Sequence, residues 1–354
     1  MASADFYTDG PSIRDIDEIA VPVGSAYGCL ESHILFVWQA RSYTPELLFY
    51  QRQRPDGSWT PSFYLSQGIG GSTNAGSPYR FGRVAAARVG TELHVCAVTS
   101  EVNPWVYQPG ILFHGISPGG DIDPGYEERV WKEPWRYLGG SLAATSGPAV
   151  DVACAGVPDP TTGRENLHVC VITNDGRLWH AVRNSETTNW TPFTDAGLAA
   201  GNRGHFRRVD CASVGGRLDV VAVTTIQDGG QALYTIRSDN GTWRGFVDVI
   251  DLATTGNGLH NQGWQPHNVS VAFCNDGLDT QDYRLYILIG ALYPETLGYT
   301  IHSNHPVAWP GLPQGHPDST WKPWSNLLDE SGGGAGGAFG NENSTFSVAK
   351  AELH

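Results

Sequence analysis

The chain has 354 residues, of which 40% are hydrophobic and 11% aromatic, including 12 Trp, 14 Tyr and 12 Phe. This composition supplies a large core and excludes a disordered chain. Asp and Glu outnumber Lys and Arg by 36 to 22, and the net charge is −14. Without a basic run, the sequence predicts neither nucleic acid nor an anionic membrane as a partner, because both bind cationic surfaces.

The amino terminus, MASADFYTDG, has no cationic segment followed by an apolar core. No apolar run in the sequence approaches the roughly 18 to 20 residues of a membrane span. The sequence therefore predicts no membrane insertion. We expect a protein that stays in the cytoplasm or is released by a non-classical route.

Short runs of β-branched and aromatic residues, separated by Gly, Asn, Asp and Pro, recur along the chain. In the clearest unit they read VDVACAG (150–156), LHVCVIT (167–173), RLWHAVR (177–183) and NWTPFTDAG (189–197). Such runs are typical of four antiparallel strands joined by tight turns. Five units of this kind are predicted, at about 16–66, 80–140, 148–197, 206–250 and 266–328. In the first unit, the first strand is predicted at 24–30.

Four-stranded units in series predict an all-β fold, a single β-propeller domain over residues 1–354. The first run of each unit holds small residues and the fourth holds bulky ones, as expected when the innermost strand lines a narrow channel. Five blades are favoured, and six or seven blades or an end-swapped homo-oligomer stay open. Residues 331–354 are interpreted as a Gly-rich linker and a closing strand, and 5–10 as the end of a fourth strand.

Two columns of side chains stand out when the predicted third strands are aligned. The first column contains Phe49, Phe113, Trp179, Tyr234 and Tyr299, and the second contains Tyr50, His114, His180, Thr235 and Thr300. Because side chains alternate along a strand, the two columns face opposite sides of each sheet. The aromatic column is interpreted mainly as packing. The polar column indicates either hydrogen-bonded packing or a pocket for a hydroxylated ligand.

A Trp is predicted to begin each fourth strand, at Trp59, Trp135, Trp190, Trp243 and Trp321. An indole buries about 150 to 250 Å², so a Trp in every unit is first a structural plug that anchors the outer strand. The alternative is that some of these indoles border clefts between blades and stack on sugar rings.

The runs DGRLWHAVR and NWTPFTDAG, together with VDVACAG and LHVCVITNDG, resemble blades of the bacterial fucose-binding propeller lectins of the Photorhabdus lectin type, which are related in architecture to tectonin-like propellers. The resemblance covers 148–250 well, 80–147 and 266–330 less well, and 16–66 weakly. It implies several shallow monosaccharide sites between neighbouring blades and hence a non-catalytic, multivalent lectin with glycans as partners. The residues that it places at such sites are Trp179, His180, Arg183, Trp190, Tyr234, Arg237, Trp243, His114 and Trp135.

Two other function classes stay open. One is a propeller glycoside hydrolase, which would need a pair of carboxylates, or a sialidase-like enzyme, which would instead need an Arg cluster. No catalytic residue can be assigned to either from the sequence. The other is a protein-interaction module, such as a toxin adaptor. The sequence carries no GxSxG, HExxH, P-loop or dinucleotide fingerprint, and predicts no cofactor.

Six Cys are scattered singly, with no CxxC or Cys/His metal spacing, so no metal site is predicted. Buried free thiols are expected. Cys154 and Cys170 are the one plausible disulfide, because they are predicted to lie on neighbouring strands.

Overall fold

The computed structural model describes residues 12–22, 30–39, 46–53, 56–64, 81–100, 110–118, 133–138, 147–201, 204–252, 265–275, 283–291, 296–303, 321, 324–326 and 350–351. Within them the protein is all-β, with antiparallel sheets that each use four consecutive strands. The prediction of four-stranded antiparallel units is confirmed. None of the helices in this described part is long and apolar enough to cross a bilayer.

Five sheets follow one another along the described chain. The first holds β1 (Ser12–Pro22), β2 (Leu30–Gln39), β3 (Glu46–Arg52) and β4 (Phe63–Tyr64); the second holds β5 (Phe81–Val89), β6 (Glu92–Thr99), β7 (Leu112–Pro118) and β8 (Glu133–Tyr137). The third holds β9 (Ala149–Pro158), β10 (Glu165–Thr173), β11 (Leu178–Arg183) and β12 (Thr194–Asp195). The fourth holds β13 (Phe206–Val214), β14 (Arg217–Thr224), β15 (Ala232–Arg237) and β16 (Val247–Asp248); the fifth holds β17 (Pro266–Asn275), β18 (Tyr283–Ala291), β19 (Thr296–Ser303) and β20 (Ser325–Asn326).

Single-turn helices follow two of the outer strands. They are α1 (Ala196–Ala199) after β12 and α2 (Val249–Leu252) after β16. The carboxylate of Asp195 caps α1 by accepting the backbone N–H of Leu198 at 2.7 Å, which satisfies a donor that has no partner inside the helix.

The first strands of consecutive sheets contact one another, β1 with β5, β5 with β9, β9 with β13 and β13 with β17. Two buried carboxylates join neighbouring first strands directly. Asp151 accepts the backbone N–H of Val209 at 2.8 Å, and Asp210 accepts that of Val271 at 2.7 Å. Small residues such as Ala153 and Ala155 are buried here, so the backbones can approach closely. This arrangement is the one expected of innermost propeller strands.

Every first strand carries a β-bulge near its start. The extra residues are Arg14, Gly82, Val150, Arg207 and His267. A bulge increases the local twist of a strand. Its repetition at one position shows that the five units are structurally equivalent, which the irregular sequence repeat does not reveal.

The first and last strands of the described chain meet at the first sheet. β21 (Lys350–Ala351) pairs in parallel with β1 and also contacts β17, so it lies between the first strands of the first and fifth sheets. The predicted terminal fourth-strand piece at 5–10 lies outside the described residues. The number of blades therefore stays a prediction.

The first strand of the first unit was predicted at the wrong place. The structure places it at Ser12–Pro22, and Leu30 already belongs to the second strand, paired with Pro22. Most of the predicted segment, 24–29, lies outside the described residues. The run SIRDIDEIAVP carries four charged residues within its first seven positions, so composition did not mark it as an inner strand.

Apolar side chains form one buried cluster between each pair of neighbouring sheets. We refer to these boundaries as interface 1/2, interface 2/3, interface 3/4 and interface 4/5. Side chains alternate between the two faces of each sheet, so each strand contributes to two interfaces. In β11, Trp179 and Ala181 pack at interface 2/3, whereas Leu178 packs at interface 3/4.

Candidate functional site

A polar pair followed by an aromatic contact recurs at three interfaces. One polar side chain comes from the second strand of a sheet, and a His or Tyr comes from its third strand. The ring of that His or Tyr then meets the edge or face of a Trp from the next sheet. We call each set an interface triad; the three are His94, His114 and Trp190 at interface 2/3, His168, His180 and Trp243 at interface 3/4, and Asp219, Tyr234 and Trp321 at interface 4/5.

The geometry of the triads is nearly constant. The Nδ1 atom of His94 lies 3.0 Å from Nε2 of His114, and Nδ1 of His168 lies 3.1 Å from Nε2 of His180. His114 and His180 each lie 5.3 Å from the next Trp ring at an interplanar angle of 82°, and for Tyr234 the values are 5.6 Å and 82°. These edge-to-face contacts are the preferred arrangement of aromatic pairs. The polar column therefore packs mainly between sheets, and His114 and His180 are each hydrogen-bonded within their triads.

The two His of interface 3/4 are neutral in the folded protein. Burial, and then the charge of the nearby Arg237 guanidinium, lower the pKa of His180 to about 3. Burial, His180 and Arg237 together hold the pKa of His168 well below its usual range. One neutral ring can then donate to the other, whereas two charged rings could not share this hydrogen bond.

We expect these His to make the protein acid-sensitive. Both stay neutral when folded but take up a proton near pH 6.5 when unfolded, so their contribution to stability is present above pH 6.5 and is lost as the pH falls toward about 3. The loss is up to about 1.4 kcal/mol per pH unit for each His. Urea unfolding at several pH values should show a shallower decline below pH 6.5 for His180→Phe than for the parent protein.

Gln227→Ala provides the control, because Gln227 is exposed and carries no titratable group. It should leave the pH dependence unchanged. Equal declines for the parent protein and His180→Phe would contradict the assignment.

A pocket of about 450 Å³ opens at the rim of interface 2/3, where the turn between β5 and β6 meets the turn between β9 and β10. Its lining combines charged and hydroxyl side chains with two glycines: Arg88, Glu92, Arg164, Glu165, Ser185, Gly90 and Gly163, beside Val89 and Pro158. Its volume falls in the range of small-molecule sites, about 300 to 1,000 Å³.

The pocket wall is held by an ion pair that bridges the two sheets. A guanidinium nitrogen of Arg88 lies 3.7 Å from Glu165, and Glu165 also accepts the backbone N–H of Gly90 at 2.5 Å. On the inner side, Glu92 lies 3.5 Å from Nε2 of His94. His94 therefore contacts both Glu92, which lines the pocket, and His114, its partner in the triad of interface 2/3. Guanidinium donors and carboxylate acceptors fixed in this way suit hydroxyl groups of a polar ligand.

At the corresponding rim of interface 3/4, the two sheets contact each other directly. Ser213 donates from its hydroxyl to the carbonyl of Gly156, and Gly216 stands so close to Pro158 that an added Cβ would lie 3.3 Å from the Pro158 carbonyl oxygen. Neighbouring interfaces thus differ at their rims although their triads are alike.

The predicted site residues separate onto three interfaces. Trp179 is buried at interface 2/3, where its indole donates to the Thr173 hydroxyl at 3.1 Å. Trp190 contacts His114 at that interface, and Arg183 is paired with Trp190 through a β-bridge. His180 instead faces interface 3/4 with Trp243. Trp179 and His180 therefore lie at different interfaces, as expected because alternate residues of a strand face opposite sides of the sheet.

The two predicted columns of the third strands were misaligned by one residue in the fourth and fifth sheets. Trp179 pairs with Asp195, but the equivalent Asp248 pairs with Leu233, so Tyr234 corresponds to His180 and not to Trp179. The same shift applies in the fifth sheet, where Gly298 pairs with Asn326. Tyr234 and Tyr299 therefore replace Thr235 and Thr300 in the polar column, and Thr235 bonds instead to the carbonyl of Arg244 at 2.6 Å.

Trp135 was also assigned to the wrong column. Trp190 and Trp243 lie five residues before the outer-strand residues Asp195 and Asp248, whereas Trp135 lies two residues before Tyr137 in β8. The side chain of Trp135 lies outside the described part of the structure. Arg237, the remaining predicted residue, faces the His pair of interface 3/4.

Cys96, Cys154, Cys170 and Cys211 are buried free thiols, as expected. The suggested disulfide between Cys154 and Cys170 does not form. Cys154 pairs with Val169 and Cys170 with Ala153, and the two thiols face interfaces 2/3 and 3/4 respectively. Among the described residues, no group of three or more His, Cys, Asp or Glu side chains could hold a metal ion.

Sequence reasoning missed the residues that line the pocket. Arg88, Glu92 and Glu165 lie at strand ends and belong to no repeated motif, so only their meeting across two sheets reveals them. Their one signal in the sequence is the position of charged residues beside predicted turns.

No family model and no curated protein matches the chain. Among solved structures, the intramolecular trans-sialidase from Ruminococcus gnavus is similar at a TM-score of 0.55 and 9% identity, over 90% of this chain and 86% of that one. The endosialidase of phage phi92 gives 0.54 and 10%, over 86% and 56%. The fucose-binding lectin of Aleuria aurantia, described as a six-bladed β-propeller, gives 0.48 and 13%, over 90% and 79%. At these identities the likeness concerns the fold, and the ligand has to be argued from the residues.

Proposed function

We propose that the protein is a non-catalytic carbohydrate-binding lectin, and that the pocket at the rim of interface 2/3 binds a monosaccharide of the fucose type or a related sugar. The observation that carries the proposal is a pocket of about 450 Å³ whose guanidinium and carboxylate groups are held by contacts between two sheets. Such preorganised donors and acceptors bind hydroxyl groups without a large ordering cost. The resemblance of the repeats to propeller lectins supports the same function.

Several weak sites on one molecule would together give avidity on a glycan surface. The third and fourth sheets contact each other directly at the rim of interface 3/4. This difference from interface 2/3 argues against identical sites at the two interfaces. We therefore propose a lectin with unlike sites, whose partners are glycans or glycoconjugates.

A pocket-filling variant tests the proposed site. Ser185 lines the pocket and takes part in neither the Arg88–Glu165 ion pair nor the contact between Glu92 and His94, so Ser185→Leu should block ligand entry while the sheets stay intact. We expect glycan-array signals and the affinity for methyl α-L-fucoside, measured by isothermal titration calorimetry, to fall at least about tenfold, which corresponds to about 1.4 kcal/mol.

Ser238→Leu is the matched control, because Ser238 lies in the corresponding loop of the fourth sheet and does not line the pocket. It should bind sugars like the parent protein. Absence of binding across a broad array would contradict the lectin function, and undiminished binding by Ser185→Leu would contradict the site.

A glycoside hydrolase is the second candidate, because two carboxylates, Glu92 and Glu165, line the same pocket. Glycoside hydrolysis needs such a pair, one as acid and one as base or nucleophile. Turnover of chromogenic glycosides, including sialosides, that disappears in both Glu92→Gln and Glu165→Gln would favour the enzyme over the lectin.

A further inference from the structure

Arg217 holds a fixed position at the rim of interface 4/5. Its Nε donates to the carboxylate of Asp219 at 2.7 Å, and its guanidinium carbon lies 5.8 Å from the centre of the Phe273 ring. Asp219 is itself held by the hydroxyl of Tyr234. The guanidinium is thus oriented from two sides, by a carboxylate in its own strand and by an aromatic ring of the next sheet.

The hydrogen-bonding capacity of this guanidinium is not fully used. Nη2 of Arg217 is shielded from solvent and has no hydrogen-bond partner among the described residues. An unsatisfied charged donor is costly for a folded protein. The Arg217 side chain as a whole is 25% exposed, so part of it reaches the solvent at the rim.

Arg217 occupies the position that Glu92 occupies in the second sheet. Both residues open their second strands and pair with the last residue of the preceding strand, Glu92 with Val89 and Arg217 with Val214. Glu92 lines the pocket at interface 2/3. The equivalent rim position therefore carries a carboxylate at one interface and a guanidinium at the other, which favours ligands of different charge.

His302 contributes a further polar side chain at interface 4/5. Its ring lies 4.5 Å from Trp321 and 6.2 Å from Tyr234. Burial, and then the charge of Arg217, lower the pKa of His302 to about 4. A neutral imidazole next to Arg217 can donate one hydrogen bond to an anionic group without adding a second charge.

We propose that the rim of interface 4/5 is a second ligand site, which binds the carboxylate of an acidic sugar through the guanidinium of Arg217 with His302 beside it. Arg217 is the specificity-determining residue, and Phe273 and Asp219 position it. The inference rests on the proposed carbohydrate-binding function for the choice of ligand class, and on contacts at a different interface for the site.

The test compares methyl β-D-glucuronide with methyl β-D-glucoside, which differ in the carboxylate, by isothermal titration calorimetry at pH 7 and low salt. We expect the glucuronide to bind at least about tenfold more tightly, and Arg217→Gln to remove this preference. Because Arg217→Gln leaves the carboxylate of Asp219 buried without its cation, the double variant Arg217→Gln/Asp219→Asn is measured in parallel. It replaces the ion pair by neutral amides and should show the same loss of preference.

Arg244→Gln is the charge-matched control. Arg244 is exposed and acts on Asp219 only electrostatically, so its loss should leave the preference for the glucuronide in place. Equal affinities for the two sugars in the parent protein would overturn the proposal, and so would a preference that Arg244→Gln lowers as much as Arg217→Gln does.

Ser185→Leu separates this proposal from the proposed function. A glucuronide preference that survives Ser185→Leu and is lost in Arg217→Gln supports the second site whether or not the pocket binds sugar. A preference abolished by Ser185→Leu and retained in Arg217→Gln would overturn the second site and leave the pocket at interface 2/3 as the binding site.

Discussion

Replacing Asp219 by alanine is expected to lower the free energy of unfolding by about 3 to 5 kcal/mol, because it breaks a buried ion pair by removing one partner. Asp219 is 1% exposed and accepts from both Arg217 and Tyr234. Burial raises its pKa, against the effect of its two partners, which favour the charged form. Without the carboxylate, a guanidinium and a phenol are left at interface 4/5 with no acceptor.

Chemical denaturation followed by circular dichroism measures this loss. Asp219→Asn keeps one acceptor oxygen and nearly the same volume, so it should be destabilised less than Asp219→Ala. Asp228→Ala removes an exposed carboxylate from the connection between β14 and β15, where it accepts a hydrogen bond from Thr225, and should lower stability by about 1 kcal/mol or less. If Asp219→Ala were as stable as Asp228→Ala, the pair would not contribute to holding the fourth and fifth sheets together.

Trp321→Ala is expected to cost about 3 to 5 kcal/mol, the usual range for truncating a buried Trp. Trp321 is 6% exposed, belongs to the buried cluster of interface 4/5, and contacts the rings of both Tyr234 and His302. Its loss leaves a cavity between two sheets that cannot collapse without moving their backbones. The melting temperature and the denaturant midpoint should both fall.

Trp59→Ala is the matched comparison, because Trp59 forms the same kind of β-bridge at the end of a third strand but is 40% exposed. We expect this variant to lose about 1 kcal/mol or less, since less apolar area is removed from water. Equal losses for the two variants would show that position in the repeat, and not burial, sets the contribution of each Trp.

The repeat and its strands could be predicted from the sequence because they depend on local patterns. Runs such as LHVCVIT and RLWHAVR alternate and end at turn residues, and the structure has strands there, Glu165–Thr173 and Leu178–Arg183. Ser12–Pro22 escaped prediction because its charged residues resemble a loop. The outer strands are also shorter than predicted: Trp190 forms an isolated bridge, and only Thr194–Asp195 pairs further.

The candidate site was less predictable than the fold. The resemblance to propeller lectins placed both His180 and Arg183 at sites between blades. In the structure His180 packs against Trp243 of the next sheet, while Trp190, paired with Arg183, packs against His114 of the preceding one. Burial of His114 and His180 shows that these clefts are closed around their polar pairs.

What the sequence by itself determined is the all-β class and the four-stranded unit, because strand propensity, turn residues and alternation act within a few residues. Only the tertiary structure decided which side chains contact one another across the interfaces and where a pocket opens. It also decided that the Arg217 guanidinium lies over the Phe273 ring. The reason is physical: each strand serves two interfaces, so a one-residue shift in register sends a side chain to the other face. Pockets form where side chains from two sheets fail to fill the space between them, and no single repeat contains that information.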